Sequence, residues 1–294
     1  MPSKFPSHKL TYLGLDPDDS EYDKSVFVVM PVPYEQTTTY RKGTQGGPQA
    51  ILEASYEVEL FDEELRVEPY LAGVHTIADL QFESRDSLKM VEQVYSVGVK
   101  LLNDNKIICM LGGEHSISSA LAKACHDKFD SLSIVQLDAH ADLRESYQDN
   151  PHNHACVMKR IRDFNKSTFG IGIRNYSKEE FDYIQSEKID IIHAVDLLKD
   201  NAWMDAVIGK LYENVYLTID CDYFDPAIMP GVGTPEPGGG QWYQTLEFLK
   251  ILIKRKNIVS FDVVELAPLP DNNTSEFTAA KLIYKIMGYI ASSR

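Results

Sequence analysis

Four cysteines in 294 residues, none in a Cys-x-x-Cys pair, argue against a thiolate metal site or a disulfide framework. Three of them, Cys109, Cys125 and Cys221, fall in runs that read as buried strand or helix, where a free thiol is the ordinary state. A reducing compartment is therefore expected. No apolar window is long enough to span a bilayer. The opening MPSKFPSHKL lacks both an apolar core and a small-residue cleavage site, so no secretory signal is expected and the cytoplasm is the anticipated location. Basic residues are also scarce: 29 Lys and Arg stand against 44 Asp and Glu, a formal charge of −15. A nucleic-acid partner needs clustered cations along its backbone and is not expected. A negative surface would instead concentrate small cations, although acidity also serves solubility alone. No repeat, low-complexity tract or linker divides the chain. One domain over residues 1–294 is expected, with a catalytic core from about residue 25 onward.

What is present is an alternation. Short runs rich in Val and Ile begin near Ser25, Lys106, Ser131, Ser167, Ile189, Asn214 and Asn257. They show little polar alternation, which is how strands buried on both faces of a parallel sheet read. Between them lie amphipathic segments of helical period. In the segment after Asp86, Leu88, Val91, Val94, Tyr95, Gly98, Leu101 and Leu102 mark an apolar stripe. Other helices are expected after Ser116, across 177–188, across 241–256 and over the C-terminal FTAAKLIYKIMGYI; Ser177 and Glu180 have capping-box spacing. The pattern predicts an α/β fold, with one parallel sheet covered by helices on both faces. In such sheets ligands bind at the carboxyl ends of the strands.

Polar residues gather at three of those ends. LGGEHS carries Glu114 and His115; QLDAHAD carries Asp138, His140 and Asp142; LTIDCDYFDP carries Asp220, Asp222 and Asp225. If the chain stays extended, Asp138, His140 and Asp142 share one face, as do Asp220 and Asp222, with Cys221 on the other. Neighbouring buried carboxylates repel and would take up protons unless a cation neutralises them. Four Asp carboxylates balance two divalent ions. Carboxylate and imidazole donors without thiolate suit Mn²⁺ better than structural zinc, with iron, nickel, cobalt and zinc left open. Alone, a Gly-Gly-x-His marks a turn as readily as a site, and Asp-x-Asp can be a solvated edge. The convergence of three such motifs at strand ends favours a metal centre.

At these residues the sequence resembles the ureohydrolases, the family of arginase and agmatinase. GGEHS at 112–116, DAHADL at 138–143 and the long TIDCDYFDPAIMPGVGTPEPGG at 218–239 match its signatures in order and spacing, from about Pro31 to the end. The resemblance implies a three-layer α/β/α sandwich and a binuclear manganese site. His115, Asp138, Asp142 and Asp220 would hold one ion, and Asp138, His140, Asp220 and Asp222 the other. Water activated there would attack a guanidinium carbon to release urea and an amine, with Asp142 helping to move a proton. His154 matches a histidine that shuttles protons or holds substrate, with His152 as its rival. Glu265 matches a glutamate that pairs with the guanidinium group, a planar contact accepting two N–H bonds. Asp262 is a supporting residue at most. Glu114 departs from the aspartate of many relatives, at a position beside the ligands. The family also implies a homo-oligomer, trimer or hexamer.

The substrate is less constrained. The loop LRESYQDNPHNH after Asp142 lacks the arginase pattern and looks more like agmatinase, which turns agmatine into putrescine for polyamine synthesis; Glu145 and Asp149 could meet the amine tail. Arg144 could instead grip a carboxylate tail, pair with Glu145 or Asp149, or reach a neighbouring subunit. Guanidinobutyrate, formiminoglutamate, arginine and aminopropylagmatine thus stay open as substrates. Two readings of another kind compete: a single-zinc deacetylase-like amide hydrolase, and a non-catalytic metal-binding protein. Ion count per chain separates the first, and urea release the second.

Overall fold

The computed structural model describes residues 5–294. Eight parallel strands form one sheet: β1 (Phe27–Val32), β2 (Val74–Thr76), β3 (Ile107–Gly112), β4 (Leu132–Leu137), β5 (Thr168–Ile173), β6 (Asp190–His193), β7 (Asn214–Asp220) and β8 (Asn257–Val264). Among the described residues nine α-helices accompany them: α1 (Gly47–Ser55), α2 (Ser87–Asn103), α3 (Ser118–Lys128), α4 (Val157–Arg162), α5 (Lys178–Glu187), α6 (Ala194–Leu197), α7 (Ala202–Ile208), α8 (Trp242–Arg255) and α9 (Thr274–Ser293). All seven Val- and Ile-rich runs are strands. β2 was not anticipated, because three residues carry no period. Nor were α1, α4, α6 and α7, most of which are too short for one.

The strand order is β2-β1-β3-β8-β7-β4-β5-β6. The chain builds one wing, crosses to build the other, and returns with β7 and β8 to fill the middle. Strand residues alternate between two cores, as a pleated strand requires. Phe27, Val29, Cys109, Leu111, Leu217 and Phe261 pack with α1 and α6–α9. Val28, Met30, Ile108, Met110, Ile134 and Tyr216 pack with α2–α5. The result is the expected three-layer α/β/α sandwich.

Local signals hold where they were specific. Ser177 and Glu180 form the reciprocal capping box that starts α5. The buried stripe of α2 is rotated from the expected one: it runs through Ser87, Met90, Val94, Gly98, Leu101 and Leu102, while Leu88 is exposed. Gly98 belongs to both stripes and lets α2 approach α3 closely, since a Cβ there would lie 3.1 Å from Leu121 of α3. The four central strands β3, β8, β7 and β4 bring their carboxyl ends together, and every sequence-predicted site residue but His154 leaves the sheet there.

Candidate metal centre and active site

The first arm leaves β3. Gly113 passes so close to the neighbouring loop that a Cβ would sit 2.0 Å from the Tyr34 carbonyl oxygen, so only glycine fits. The chain then turns at Glu114 into a 3₁₀ turn, His115–Ile117, with His115 fully buried. His115 Nε2 lies 2.9 Å from Thr218 Oγ1, which itself donates to Asp262 Oδ1 at 2.7 Å. The Tyr216 hydroxyl donates to the other Asp262 oxygen. With its proton committed to Asp262, Thr218 must accept from Nε2–H. That fixes the tautomer and leaves Nδ1 as the donor atom. Asp262 is thus the supporting group the sequence suggested.

The second arm leaves β4. Here the chain does not stay extended: the strand stops at Leu137, and Asp142 adopts a left-handed backbone with φ of 53°. Asp138 is held by the Gln136 amide at 2.7 Å and by the His140 N–H at 2.6 Å. The third arm leaves β7, and again extension fails, because Asp222 lies in a 3₁₀ turn, Cys221–Tyr223. That turn folds Asp222 back so that its N–H donates to Asp220 Oδ1 at 2.8 Å. Cys221 still faces the apolar core. Glu265 follows β8 with φ of 61°. Left-handed conformations at non-glycine residues cost energy that only surrounding structure can hold, and both of these are site candidates.

These turns collect the side chains. His115 Nδ1 is buried, has no hydrogen-bond partner, and faces Asp138 and Asp142 oxygens at 3.2 Å and Asp220 at 3.4 Å. His140 Nδ1 lies 2.9 Å from Asp222 and 3.7 Å from Asp138. Two overlapping donor groups result, His115-Asp138-Asp220 and Asp138-His140-Asp222, each with its atoms within 4.8 Å of one another. Asp138 belongs to both, and Asp142 stands beside the first. Asp225 stays out, its carboxylate accepting from the Ala227 N–H.

The electrostatics state a demand for positive charge. Burial, then repulsion from Asp142 and Asp222, pushes Asp138 up to about 7. Burial, then Asp222 and Asp138, raises Asp220 well above the carboxylate range. Burial alone would lower both histidines, but the facing carboxylates raise His115 well above its ordinary value and His140 to about 11. For Asp222 burial acts upward, yet His140 and its hydrogen bonds hold it below the usual range. Without cations the cluster takes up protons; divalent ions would meet the same demand. An orphaned imidazole nitrogen among hard oxygen donors, with no thiolate, fits Mn²⁺.

A cavity of about 220 Å³ opens onto this cluster. His140, Asp142, Asp220, Asp222, His154 and Glu265 line it. His154 Nδ1 lies 3.6 Å from Glu265 Oε1, and its Nε2 is buried without a partner. Burial would lower His154, but Glu265, Asp142 and Glu114 outweigh it and raise it. His152 does not line the cavity, and burial and Arg160 lower it. Sequence reasoning missed Thr39, Tyr147, Asn175, Tyr176, Glu180, Thr234 and Glu236, which also line it. Thr39, Asn175 and Tyr176 come from remote loops and carry no motif; Tyr147 lies in the loop after Asp142, Glu180 was legible only as a helix cap, and Thr234 and Glu236 lie within the long signature.

Two loop expectations are corrected. Glu145 and Asp149 do not line the cavity: Glu145 is exposed and paired with Lys159 at 2.8 Å and Arg160 at 2.9 Å, and Asp149 is exposed. Arg144 pairs with neither of them; it lies 3.8 Å from Glu180 and over the Tyr147 ring. A larger, mostly apolar groove of about 540 Å³ lies between α8 and α9, away from any such donor set.

A parallel sheet with these donors at its central strand ends defines a hydrolase-type metal site. The chain belongs to the arginase family of ureohydrolases: the Arginase family model matches residues 25–288. It is 39% identical to the N(1)-aminopropylagmatine ureohydrolase of Synechocystis sp., over 100% of this chain and 98% of that one. It is 34% identical to the agmatinase of Pyrococcus horikoshii, over 90% and 92%. The agmatine ureohydrolase of Thermoplasma volcanium superposes with a TM-score of 0.85 at 34% identity, over 92% of each chain.

Proposed function

We propose that this chain hydrolyses the guanidinium group of a small cation-tailed substrate, agmatine, to putrescine and urea on a pair of Mn²⁺ ions. The observation that carries this is the overlap of two donor groups at the buried Asp138, whose members His140, Asp220 and Asp222 reach the wall of a cavity also lined by Glu265 and His154. His115, Asp138, Asp142 and Asp220 would hold one ion, and Asp138, His140, Asp220 and Asp222 the other. Bound there, divalent ions supply the Lewis acidity that makes water nucleophilic near neutral pH.

The remaining work falls to the chain. Glu265 orients the guanidinium plane by accepting its N–H groups. Its Oε1 also accepts the His115 N–H at 2.7 Å, which locks the carboxylate to the metal arm. When water adds to the guanidinium carbon and the bond to the alkyl nitrogen breaks, that nitrogen needs a proton. Asp142 takes one from the attacking water, and His154, with a free Nε2, returns one to the departing amine.

Substrate charge follows from the rim. Glu236 lines the cavity; its carboxylate accepts from Asn175, lies 3.7 Å from His140 Nε2, and has no Lys or Arg ion pair among the described residues, Arg174 reaching only its backbone carbonyl. Arg144 is the cavity's cation, and Glu180 and Tyr147 occupy it. A cationic tail is favoured over the carboxylate tails of guanidinobutyrate, formiminoglutamate and arginine. Aminopropylagmatine is the second reading, supported by the Synechocystis relative. We place the enzyme in the cytoplasm as a homo-oligomer, trimer or hexamer, to be checked by light scattering. A single-zinc amide hydrolase conflicts with the two donor groups. The test is hydrolysis by manganese-loaded protein of agmatine, aminopropylagmatine and the three carboxylate-tailed candidates, read as urea, or as formamide for formiminoglutamate. Turnover of a carboxylate-tailed compound above both cationic ones refutes the substrate assignment, and no turnover of any refutes the enzyme.

A further inference from the structure

Glu114 stands beside His115 in sequence, yet its side chain turns away from the metal cluster. It is fully buried, and no lysine or arginine meets it among the described residues. Its carboxylate instead receives four hydrogen bonds. Oε2 accepts the backbone N–H groups of Gln36 and Thr37, each at 2.6 Å. Oε1 accepts the Thr37 hydroxyl at 2.7 Å and the Ser116 hydroxyl at 2.6 Å. The Glu114 N–H in turn donates to Tyr34 O at 2.9 Å. The loop after β1 is therefore pinned to the turn that carries His115, and it delivers Thr39 to the cavity wall.

Thr37 passes the constraint onward. Its hydroxyl proton is committed to Glu114, so its oxygen is oriented to accept, and it accepts the His154 N–H at 2.9 Å. His154 opens a 3₁₀ turn capped by the Asn153 side chain, which receives the Ala155 N–H, so that cap leaves the His154 N–H to Thr37. The other fixed point of His154 is Glu265, at 3.6 Å. Glu265 is itself tied back to the same turn through His115 N at 2.7 Å and Gly113 O at 2.8 Å.

We propose that Glu114 and Thr37 are positioning residues for His154, forming a carboxylate-hydroxyl-amide relay that sets the distance between its ring and Glu265. The inference rests on His154 taking part in urea release, but the relay itself is testable without turnover. A buried carboxylate with four donors is a rigid anchor, because losing any one leaves a charged oxygen under-bonded. The side-chain length also matters. An aspartate at 114 would sit one methylene short and could not serve both the 36–37 amides and the Ser116 hydroxyl from its present backbone.

The test is Thr37→Val, which keeps the shape and removes the relay hydroxyl, with Thr37→Ser restoring it. In hydrogen-exchange mass spectrometry of the metal-loaded protein, the peptide spanning 150–158 should exchange faster in T37V and at the wild-type rate in T37S. In turnover, T37V should lower kcat about tenfold with KM within about twofold, and T37S should recover most of it. T37V should add no further loss to His154→Asn, as two members of one unit behave. Unchanged exchange at 150–158 in T37V overturns the relay. Changed exchange with additive kcat losses overturns its role in positioning His154. Wild-type protein that releases no urea overturns the function instead, and leaves the exchange result to judge the relay.

Discussion

Two acidic clusters, one buried at the strand ends and one under α9 built around the buried Asp62, meet their charge differently. Asp62 and Lys285 are both buried, with Lys285 Nζ 3.1 Å from Asp62, 3.0 Å from Glu63 and 3.4 Å from Glu64. Lys250 and Lys281 complete three cations against three carboxylates. The fold supplies every counter-charge, and the cluster ties the 62–64 loop to the last helix. At the strand ends Asp138, Asp142, Asp220, Asp222 and Glu265 have ion pairs only with histidines, and none with Lys or Arg, among the described residues. There the chain leaves a charge deficit for something else to fill. A cluster of acids alone therefore does not mark a site; several carboxylates crowded together in the interior with no Lys or Arg among them do.

The largest test of that contrast removes a donor from the uncompensated cluster. Asp222→Ala or His140→Ala should cut urea release by about a thousandfold or more and lower bound metal, with far-UV circular dichroism unchanged. Full turnover in either would contradict its assignment as a ligand. Lys285→Met should do the reverse. It strands Asp62 and should cost about 3–5 kcal/mol in chemical denaturation, while kcat per folded molecule and metal content hold. A loss of metal in that variant would mean the two clusters are not independent.

Loading the metal sharpens the comparison from the other side. With free ion about a hundredfold above its Kd, each occupied site should add roughly 2.7 kcal/mol to stability, lost again on chelation. Lys285→Met should show the same increment. The smallest effect is acid sensitivity of the compensated cluster. Burial acts to raise Glu64, but bonds from Lys250 and Tyr289 outweigh it and hold it below its ordinary 4.5. A depressed carboxylate stabilises fully above its unfolded value, and the gain fades as pH falls through the folded one. Denaturation of metal-free Lys250→Met should then lose up to about 1 kcal/mol relative to wild type above about pH 5, with the difference shrinking toward about pH 3. A gap that widened in acid would reverse the sign.

Much of this was legible in the chain. Both-face-buried strands announce themselves by Val and Ile without alternation, and all seven such runs are strands. The six metal candidates lie where three of them end, and the structure brings them together. The route there was not legible: extension fails in both Asp motifs, and turns at Asp142 and Cys221–Tyr223 do the gathering instead. A period-of-two argument sees which residues share a face but not where the strand stops. Contacts set by remote loops were equally hidden. Glu114 reads as a bystander to His115 until Gln36 and Thr37 fold onto it, and the partner of Arg144 stays open in sequence until Glu180 reaches it from α5. Glu145 and Asp149 looked available in a loop whose own cations, Lys159 and Arg160, lie in the following helix.

The central claim is that this charge deficit is filled by two divalent cations. Elemental analysis of protein loaded with manganese and freed of excess ion tests it most directly. The account predicts two ions per chain in the wild type and fewer in Asp222→Ala; one ion or none in the wild type would contradict it.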